Sequence, residues 1–263
     1  MEKLLIIPTY NERENVESII ETVFSLEQNF NILIIDDGSP DGTAAIVKKL
    51  IAKYPERLFL EEREGKLGLG TAYIFGFRWA LERDYNYVFE MDCDFSHNPN
   101  ELDKLYKACK TGGADVAIGS RYVKGGKIEN WPSVRVNLSK GASMYTRLIT
   151  FMPVKDPTAG FVCYTREVLQ SINLDQISFV GYAFQIEMKF AAWKLGFKIK
   201  EVPITFIDRK FGVSKMNKGI VKEGIFGVLK LKWMSMFKNY RNRVKKINEH
   251  SAFQSHNIVM EGK

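Results

Sequence analysis

Asp92-Cys93-Asp94 closes the apolar run Tyr87-Val88-Phe89-Glu90-Met91 and sets two carboxylates one residue apart. In extended chain, side chains at i and i+2 face the same way, so both acids can reach one divalent cation. Hard oxygen donors suit magnesium or manganese, ions that usually work on phosphates. A strand ending in acids delivers them to the carboxyl edge of a sheet, where open α/β sheets bind ligands. An isolated Asp-x-Asp is more often a solvated turn, so the weight of this one comes from its neighbours.

Asp36-Asp37-Gly38-Ser39-Pro40-Asp41-Gly42-Thr43 follows a second apolar run and opens a helical pattern. Its glycines permit tight turning, an acid at the strand end can take ribose hydroxyls, and Asp41 can cap the helix. The first strand–helix turn, Pro8-Thr9-Tyr10-Asn11-Glu12, holds no glycine, which weighs against an NAD enzyme. In Gly65-Lys66-Leu67-Gly68-Leu69-Gly70 the lysine precedes the glycines, so this is no Walker sequence, and packing glycines are the plainer reading. Gly119-Ser120-Arg121-Tyr122, then Arg135 and Ser139 four apart on one helical face, supply cationic and hydroxyl donors. Asp208-Arg209-Lys210-Phe211-Gly212-Val213-Ser214-Lys215 is a basic loop able to close over an anion.

These residues need a frame. Strands are expected at Leu4–Ile7, Ile32–Ile35, Leu58–Leu60, Tyr87–Met91 and Val116–Ile118, with helices near 13–25, 41–53, 70–83 and 100–112. That alternation predicts a mostly parallel, doubly wound α/β sheet. Beyond Ser120 it loosens into helices near 134–151 and 182–195, a turn at Asp156–Gly160 and a strand-like Phe197–Phe206.

The chain of 263 residues can bury a substantial core. Its three cysteines, Cys93, Cys109 and Cys163, lack paired or metal-type spacing and fit a reducing compartment. No signal peptide and no membrane-spanning run is evident, so a cytoplasmic location is expected. Residues 209–263 carry thirteen Lys or Arg against three Glu, a net of +10; residues 1–208 therefore net −3 of the total +7. Such a basic end meets an anionic surface. Nucleic acid is disfavoured: no zinc-finger spacing accompanies the charge, and the aromatics fall on a helical stripe.

Taken in order, Tyr10-Asn11-Glu12, Asp36-Asp37-Gly38-Ser39-x-Asp41, Asp92-x-Asp94-x-Ser96-His97, Gly119-Ser120-Arg121-Tyr122, Asp156-Pro157-Thr158-Ala159-Gly160-Phe161, Phe184-Gln185-x-Glu187-Met188 and Arg209-x5-Lys215 resemble a family 2 glycosyltransferase of the dolichyl-phosphate or polyprenyl-phosphate mannosyltransferase type. The resemblance covers about residues 3–216. It implies a GT-A, Rossmann-like domain over 1–216, a GDP-mannose donor, a polyprenyl phosphate acceptor and divalent Mg2+ or Mn2+. By position, Pro8, Tyr10, Glu12, Ile35 and Asp37 would hold the guanosine, and Asp92, Cys93 and Asp94 would flank the diphosphate. Asp94 would bind the metal, with Asp92 close by and the side chain of Ser96 as a further ligand; some relatives have Gln at Ser96 and Ala at Cys93. Arg121, Arg135, Ser139, Arg209 and Lys215 match positions that engage donor or acceptor phosphate, and Glu187 is kept as a structural or orienting residue instead of a base. Direct displacement would invert the anomeric centre. UDP-glucose or another donor is the nearest alternative; a non-catalytic, membrane-docking nucleotide-sugar binder is a more distant one.

A lipid acceptor also accounts for the charge. Val221, Ile225, Val228, Leu229, Trp233, Met236, Phe237 and Tyr240 recur at helical spacing, with Lys222, Lys230, Lys232 and Lys238 mainly off that stripe. An amphipathic helix over 217–240 would either lie in a membrane interface or pack on the domain, followed by a polar basic tail at 241–263. Many relatives continue into transmembrane helices; this chain is expected to sit peripherally on the cytoplasmic face or to recruit a membrane protein.

Overall fold

The computed structural model describes residues 1–181, 183–209 and 218–242. Lys215, most of the basic loop and the tail beyond residue 242 lie outside the described residues.

Seven strands form one sheet: β1 (Lys3–Thr9), β2 (Asn31–Asp36), β3 (Leu58–Glu62), β4 (Tyr87–Glu90), β5 (Val116–Ser120), β7 (Val162–Thr165) and β8 (Ile199–Pro203), in the order β3-β2-β1-β4-β7-β5-β8. All neighbours are parallel except β7, which runs antiparallel to both β4 and β5. Two short strands, β6 (Lys127–Glu129) and β9 (Thr205–Ile207), pair apart from the sheet. Helices α1 (Val16–Phe24), α2 (Thr43–Lys53), α3 (Leu69–Glu82), α4 (Leu102–Lys110), α5 (Ser133–Thr150), α6 (Arg166–Ser171), α7 (Ala183–Lys194) and α8 (Lys218–Met234) complete the frame.

The strands are apolar on both faces because both are covered. Along β1, Leu4 and Ile6 enter one buried cluster with Tyr73 and Phe77 of α3 and Phe184 of α7, while Leu5 and Ile7 enter the other with Val16 and Ile19 of α1 and Leu102 of α4. Gly76 lets α3 close on the sheet: a Cβ there would stand 2.8 Å from Ile6 Cδ1 and 3.0 Å from Ile35 Cδ1.

The predicted mostly parallel sheet is present, and its five leading strands fall where the sequence places them. Three features differ. Helix α1 starts at Val16, because Asn11 takes a positive φ of 57° and the Glu12 carbonyl accepts the Asn15 and Val16 amides in a turn. The strand-like Phe197–Phe206 divides at buried Ile204 into β8 and β9, and the chain exchanges β5 for β6 as its partner. Strands β6 and β7 and helix α6 have no counterpart in the sequence reading.

Candidate active site

From β1 the chain winds outward through β2 to β3, then crosses back to β4 on the other side of β1. Such a reversal opens a crevice at the carboxyl ends of β1 and β4. Asp92 and Asp94 follow β4; Pro8 lies at the end of β1 with Tyr10 and Glu12 just beyond it, and Asp37 follows β2. The last β1–β4 pairing is Ile6 with Glu90, two residues short of Asp92.

The β1 and β2 ends are stitched into one wall. Asp36 accepts hydrogen bonds from Thr9 Oγ1 (2.8 Å), Ser39 N (2.8 Å) and Ser39 Oγ (2.6 Å). The Asn11, Glu12 and Arg13 amides donate in turn to Ser39 Oγ, Thr43 Oγ1 and Asp41 Oδ2. Asp41 also accepts from the Thr43 amide (3.0 Å) in a turn ahead of α2; the N-cap position itself is Gly42, which carries no side-chain cap, so the expected cap at Asp41 is one residue early. Asp37, nearly buried, receives Nε of Arg63 at 2.7 Å, and Arg63 donates onward to Thr71 Oγ1 at 2.8 Å. Tyr10 is half-buried, with the Lys66 ammonium 5.1 Å from its ring. Ile35 is wholly buried with its side chain against α3, so only its backbone can face a ligand.

On the other wall Cys93, Asp94 and Ser96 are buried and Asp92 is half-buried. Asp94 Oδ1 accepts the Ser96 amide at 3.1 Å, while Oδ2 lies 3.2 Å from the Arg209 guanidinium. Arg135 of α5 pairs with Asp208 at 3.1 Å and lies 3.9 Å over the Trp131 ring. Ser139, one turn along α5, accepts from Tyr122 Oη at 2.6 Å. His97 stacks on Phe161, ring centroids 5.1 Å apart, and meets Phe206 edge-on. Burial, against the opposing pull of Asp94, lowers its pKa to about 4, so this imidazole is neutral at pH 7.

Arg121 is built in more deeply. Its backbone amide (2.9 Å), Nε (2.8 Å) and a terminal nitrogen (2.7 Å) all donate to Asp156, which is wholly buried. Burial pulls the guanidinium pKa down, and the Asp156 carboxylate more than offsets it, holding the group above its ordinary value. Glu201 of β8 fixes Asp156 in turn, accepting its amide at 2.9 Å, the Lys155 amide at 2.8 Å and Ser120 Oγ at 2.7 Å.

The structure thus brings Asp94, Arg209, Asp208 and Arg135 into one contact chain and sets Asp37 beyond β2 on the same carboxyl edge. Sequence reasoning assigned no role to Arg63, Asp156, Asp208 or Trp131. Asp156 and Asp208 sit inside motifs it quoted, and their signal was an acid beside a loop rich in basic or turn residues. The glycines at 68 and 70 are packing glycines: a Cβ on Gly70 would stand 2.7 Å from the Phe179 carbonyl.

Among the described residues no cluster of three or more acids, histidines or cysteines is close enough to hold a metal ion alone. The donor set still fits magnesium or manganese, which are held by one or two carboxylates while phosphates and water supply the rest. Asp94 and Asp92, with Ser96 beside them, are the residues that would hold the ion.

Acids and paired arginines thus gather around the switch point of an open α/β sheet, the place where such sheets bind ligands. The chain belongs to glycosyl transferase family 2, which matches residues 4–172, and is a glycosyltransferase. It is 48% identical over 225 residues to the polyprenol monophosphomannose synthase of Mycolicibacterium smegmatis, spanning 86% of this chain and 84% of that one. It is 42% identical over 244 residues to the undecaprenyl-phosphate mannosyltransferase of Micrococcus luteus, spanning 93% and 99%. The fold is shared with glucosyl-3-phosphoglycerate synthase from Mycobacterium tuberculosis, solved with Mn2+, UDP and glucosyl-3-phosphoglycerate: TM-score 0.63, 18% identity, 88% of this chain and 79% of that one. It is shared also with the mannosyltransferase PcManGT from Pyrobaculum calidifontis in complex with GDP-Man and Mn2+: TM-score 0.56, 16% identity, 90% and 64%.

Proposed function

We propose that the protein transfers mannose from GDP-mannose to a polyprenyl monophosphate, inverting the anomeric centre to give a β-linked lipid phosphate mannose. The observation that carries this reading is the contact chain beyond β4. Asp94 pairs with Arg209, the Arg209 amide with Asp208, and Asp208 with Arg135, in a chain 48% identical to a polyprenol monophosphomannose synthase. Pro8, Tyr10, Glu12, Asp37 and the Ile35 backbone form the nucleoside wall. Asp94 and Asp92 would hold a divalent cation, which when bound would supply charge neutralisation for the departing nucleoside diphosphate. Arg121, Arg135, Ser139, Arg209 and Lys215 position the donor and acceptor phosphates.

The nucleophile is a phosphate monoester oxygen. With a second pKa of about 6 it is already largely ionised at pH 7, so no general base is needed. Glu187 fits that economy: it is wholly buried with both oxygens engaged, and is no base.

A membrane surface completes the reading. No helix among the described residues is long and apolar enough to cross a membrane. Leu138, Met144 and Leu148 of α5 and Phe226, Leu229 and Trp233 of α8 are nevertheless exposed on adjoining helices, with Lys140, Arg147, Lys230 and Lys232 among them. Apolar side chains edged by cations suit an anionic lipid interface, where the acceptor resides. The predicted C-terminal stripe divides: Val228 and Tyr240 join the core, whereas Leu229, Trp233, Met236 and Phe237 face outward.

The deciding assay incubates purified protein with labelled GDP-mannose, UDP-glucose or other sugar nucleotides, polyprenyl phosphate in vesicles, and Mg2+ or Mn2+. A lipid-linked mannose that disappears with EDTA is expected. Turnover indifferent to EDTA overturns the metal's part, and preference for a uridine nucleotide overturns the donor. Protein that fails to sediment with anionic vesicles overturns the membrane surface.

A further inference from the structure

Glu187 and Lys238 form a buried ion pair that the chemistry above leaves without a task. Glu187, on α7, is wholly buried, and Lys238, four residues past α8, has a side chain 11% exposed. Oε2 of Glu187 accepts the Ser178 amide at 2.7 Å and the Phe179 amide at 3.0 Å; Oε1 accepts Lys238 Nζ at 2.9 Å. Lys238 also donates to the Gln176 carbonyl at 2.6 Å and Ser178 Oγ at 2.5 Å. An ammonium has three hydrogens, and all are taken. The pair therefore grips one strap of chain, residues 176–180, at several points.

That strap lies between two helices. On one side a Cβ at Gly227 of α8 would stand 3.4 Å from the Phe179 ring. On the other, Val180 O accepts the Gly70 amide at 2.8 Å, and a Cβ at Gly68 would stand 3.0 Å from Val180 O. The first turn of α3 is seated on the strap. From that turn Thr71 Oγ1 receives Arg63, whose Nε holds Asp37. Unbroken contacts thus run from the end of α8 to the nucleoside wall.

We infer that Glu187 and Lys238 are positioning residues for the donor nucleotide: clamping the strap holds the start of α3, and through it Arg63 and Asp37, in binding geometry. The inference rests on the reading of Asp37 as a nucleoside contact. Stability alone is a poor account of such a pair, since well-packed apolar replacements are often as stable or more so. What an ion pair adds is fixed geometry for the amides it holds.

The test measures GDP and UDP affinity with Mn2+, and KM for donor and acceptor, in Lys238→Met, Glu187→Gln, the double variant and Lys238→Arg. The double variant leaves no lone buried charge and keeps the test open where a single variant fails to fold. Nucleotide affinity is expected to fall about tenfold, within the usual range of coupling between sites. Donor KM should rise in step and acceptor KM hold steady, with Lys238→Arg recovering most of the loss. A double variant that melts lower yet binds nucleotide like wild type overturns the inference, as does an equal rise in both KM values. Wild-type protein that binds neither nucleotide overturns the nucleoside wall itself, and the inference with it.

Discussion

Asp156→Asn is the most demanding perturbation of this site. The change keeps volume but removes the negative charge against which Arg121 is held by three hydrogen bonds, and puts an NH2 beside a guanidinium. Arg121 has a side chain only 9% exposed, so water cannot replace the lost partner. Stranding one ion of a buried pair costs about 3–5 kcal/mol. A chain of this size loses about 2–4 °C of Tm per kcal/mol, so melting should fall by roughly 6–20 °C. Scanning calorimetry reads the loss directly. Arg121→Met with Asp156→Leu removes both ions together and should melt within about 3 °C of wild type, because apolar replacement of a whole pair is near neutral. Transferase activity separates the roles: the double variant recovers stability and stays inactive, since the phosphate has lost its guanidinium. An Asp156→Asn protein melting like wild type refutes the pairing argument, and a fully active double variant removes Arg121 from the chemistry.

Mn2+ should raise the Tm of the wild type, and Asp94→Asn should keep the fold, abolish that rise and lower turnover at least about 100-fold; an unchanged Mn2+ response places the metal elsewhere. Gly70→Ala forces a methyl to 2.7 Å from the Phe179 carbonyl and 2.9 Å from Phe184 Cβ, and should cost about 1–3 kcal/mol in urea unfolding. A neutral result there would mean that the strap yields freely. His97→Phe tests an acid limb. The folded pKa of about 4 lies below the ordinary 6.5, so the stability linked to this group is complete above pH 6.5 and drains away as pH falls towards 4. The loss reaches about 3 kcal/mol, and phenylalanine, which can stack on Phe161 in the same place, should flatten the urea midpoint between pH 6.5 and 4.5. A variant as acid-sensitive as wild type assigns that limb to other groups.

The leading half of the sheet was legible because its strands are continuous apolar runs punctuated by acids, glycines and prolines, the pattern that burial on both faces demands. Strand β7 was not. Val162-Cys163-Tyr164-Thr165 is four residues long, and its antiparallel direction depends on the turn Asp156–Gly160 bringing the chain back between β4 and β5. No periodicity encodes that. The site followed the same division. Asp92, Asp94 and Asp37 announce themselves by ending strands, whereas Arg63, Asp156 and Glu201 gain meaning only through partners remote in sequence, 81 positions away for Ser120 and Glu201. The C-terminal stripe was real as a period, but a period cannot say which helix face meets protein. That is why Val228 turned inward while Leu229 remained outside.

One arrangement recurs around the crevice. Arg63 rests on Asp37, Arg121 on Asp156, Arg135 on Asp208 and Arg209 on Asp94. Arginines gathered to meet phosphates would otherwise repel one another, and each carboxylate both cancels that cost and fixes the planar fork of its partner. The pairs differ in what a ligand must do to them. Asp156 is buried and saturated by Arg121, so that pair persists and presents whatever face of the guanidinium remains. Asp94 is the metal's candidate ligand, and its Oδ2 already meets Arg209 while Oδ1 meets the Ser96 amide. A divalent cation held there would share the carboxylate with the guanidinium and would weaken that contact. Arg209→Ala should therefore tighten Mn2+ binding in the absence of substrate while weakening use of the acceptor. Mn2+ affinity left unchanged or weakened in that variant would show that the two cations do not compete for Asp94.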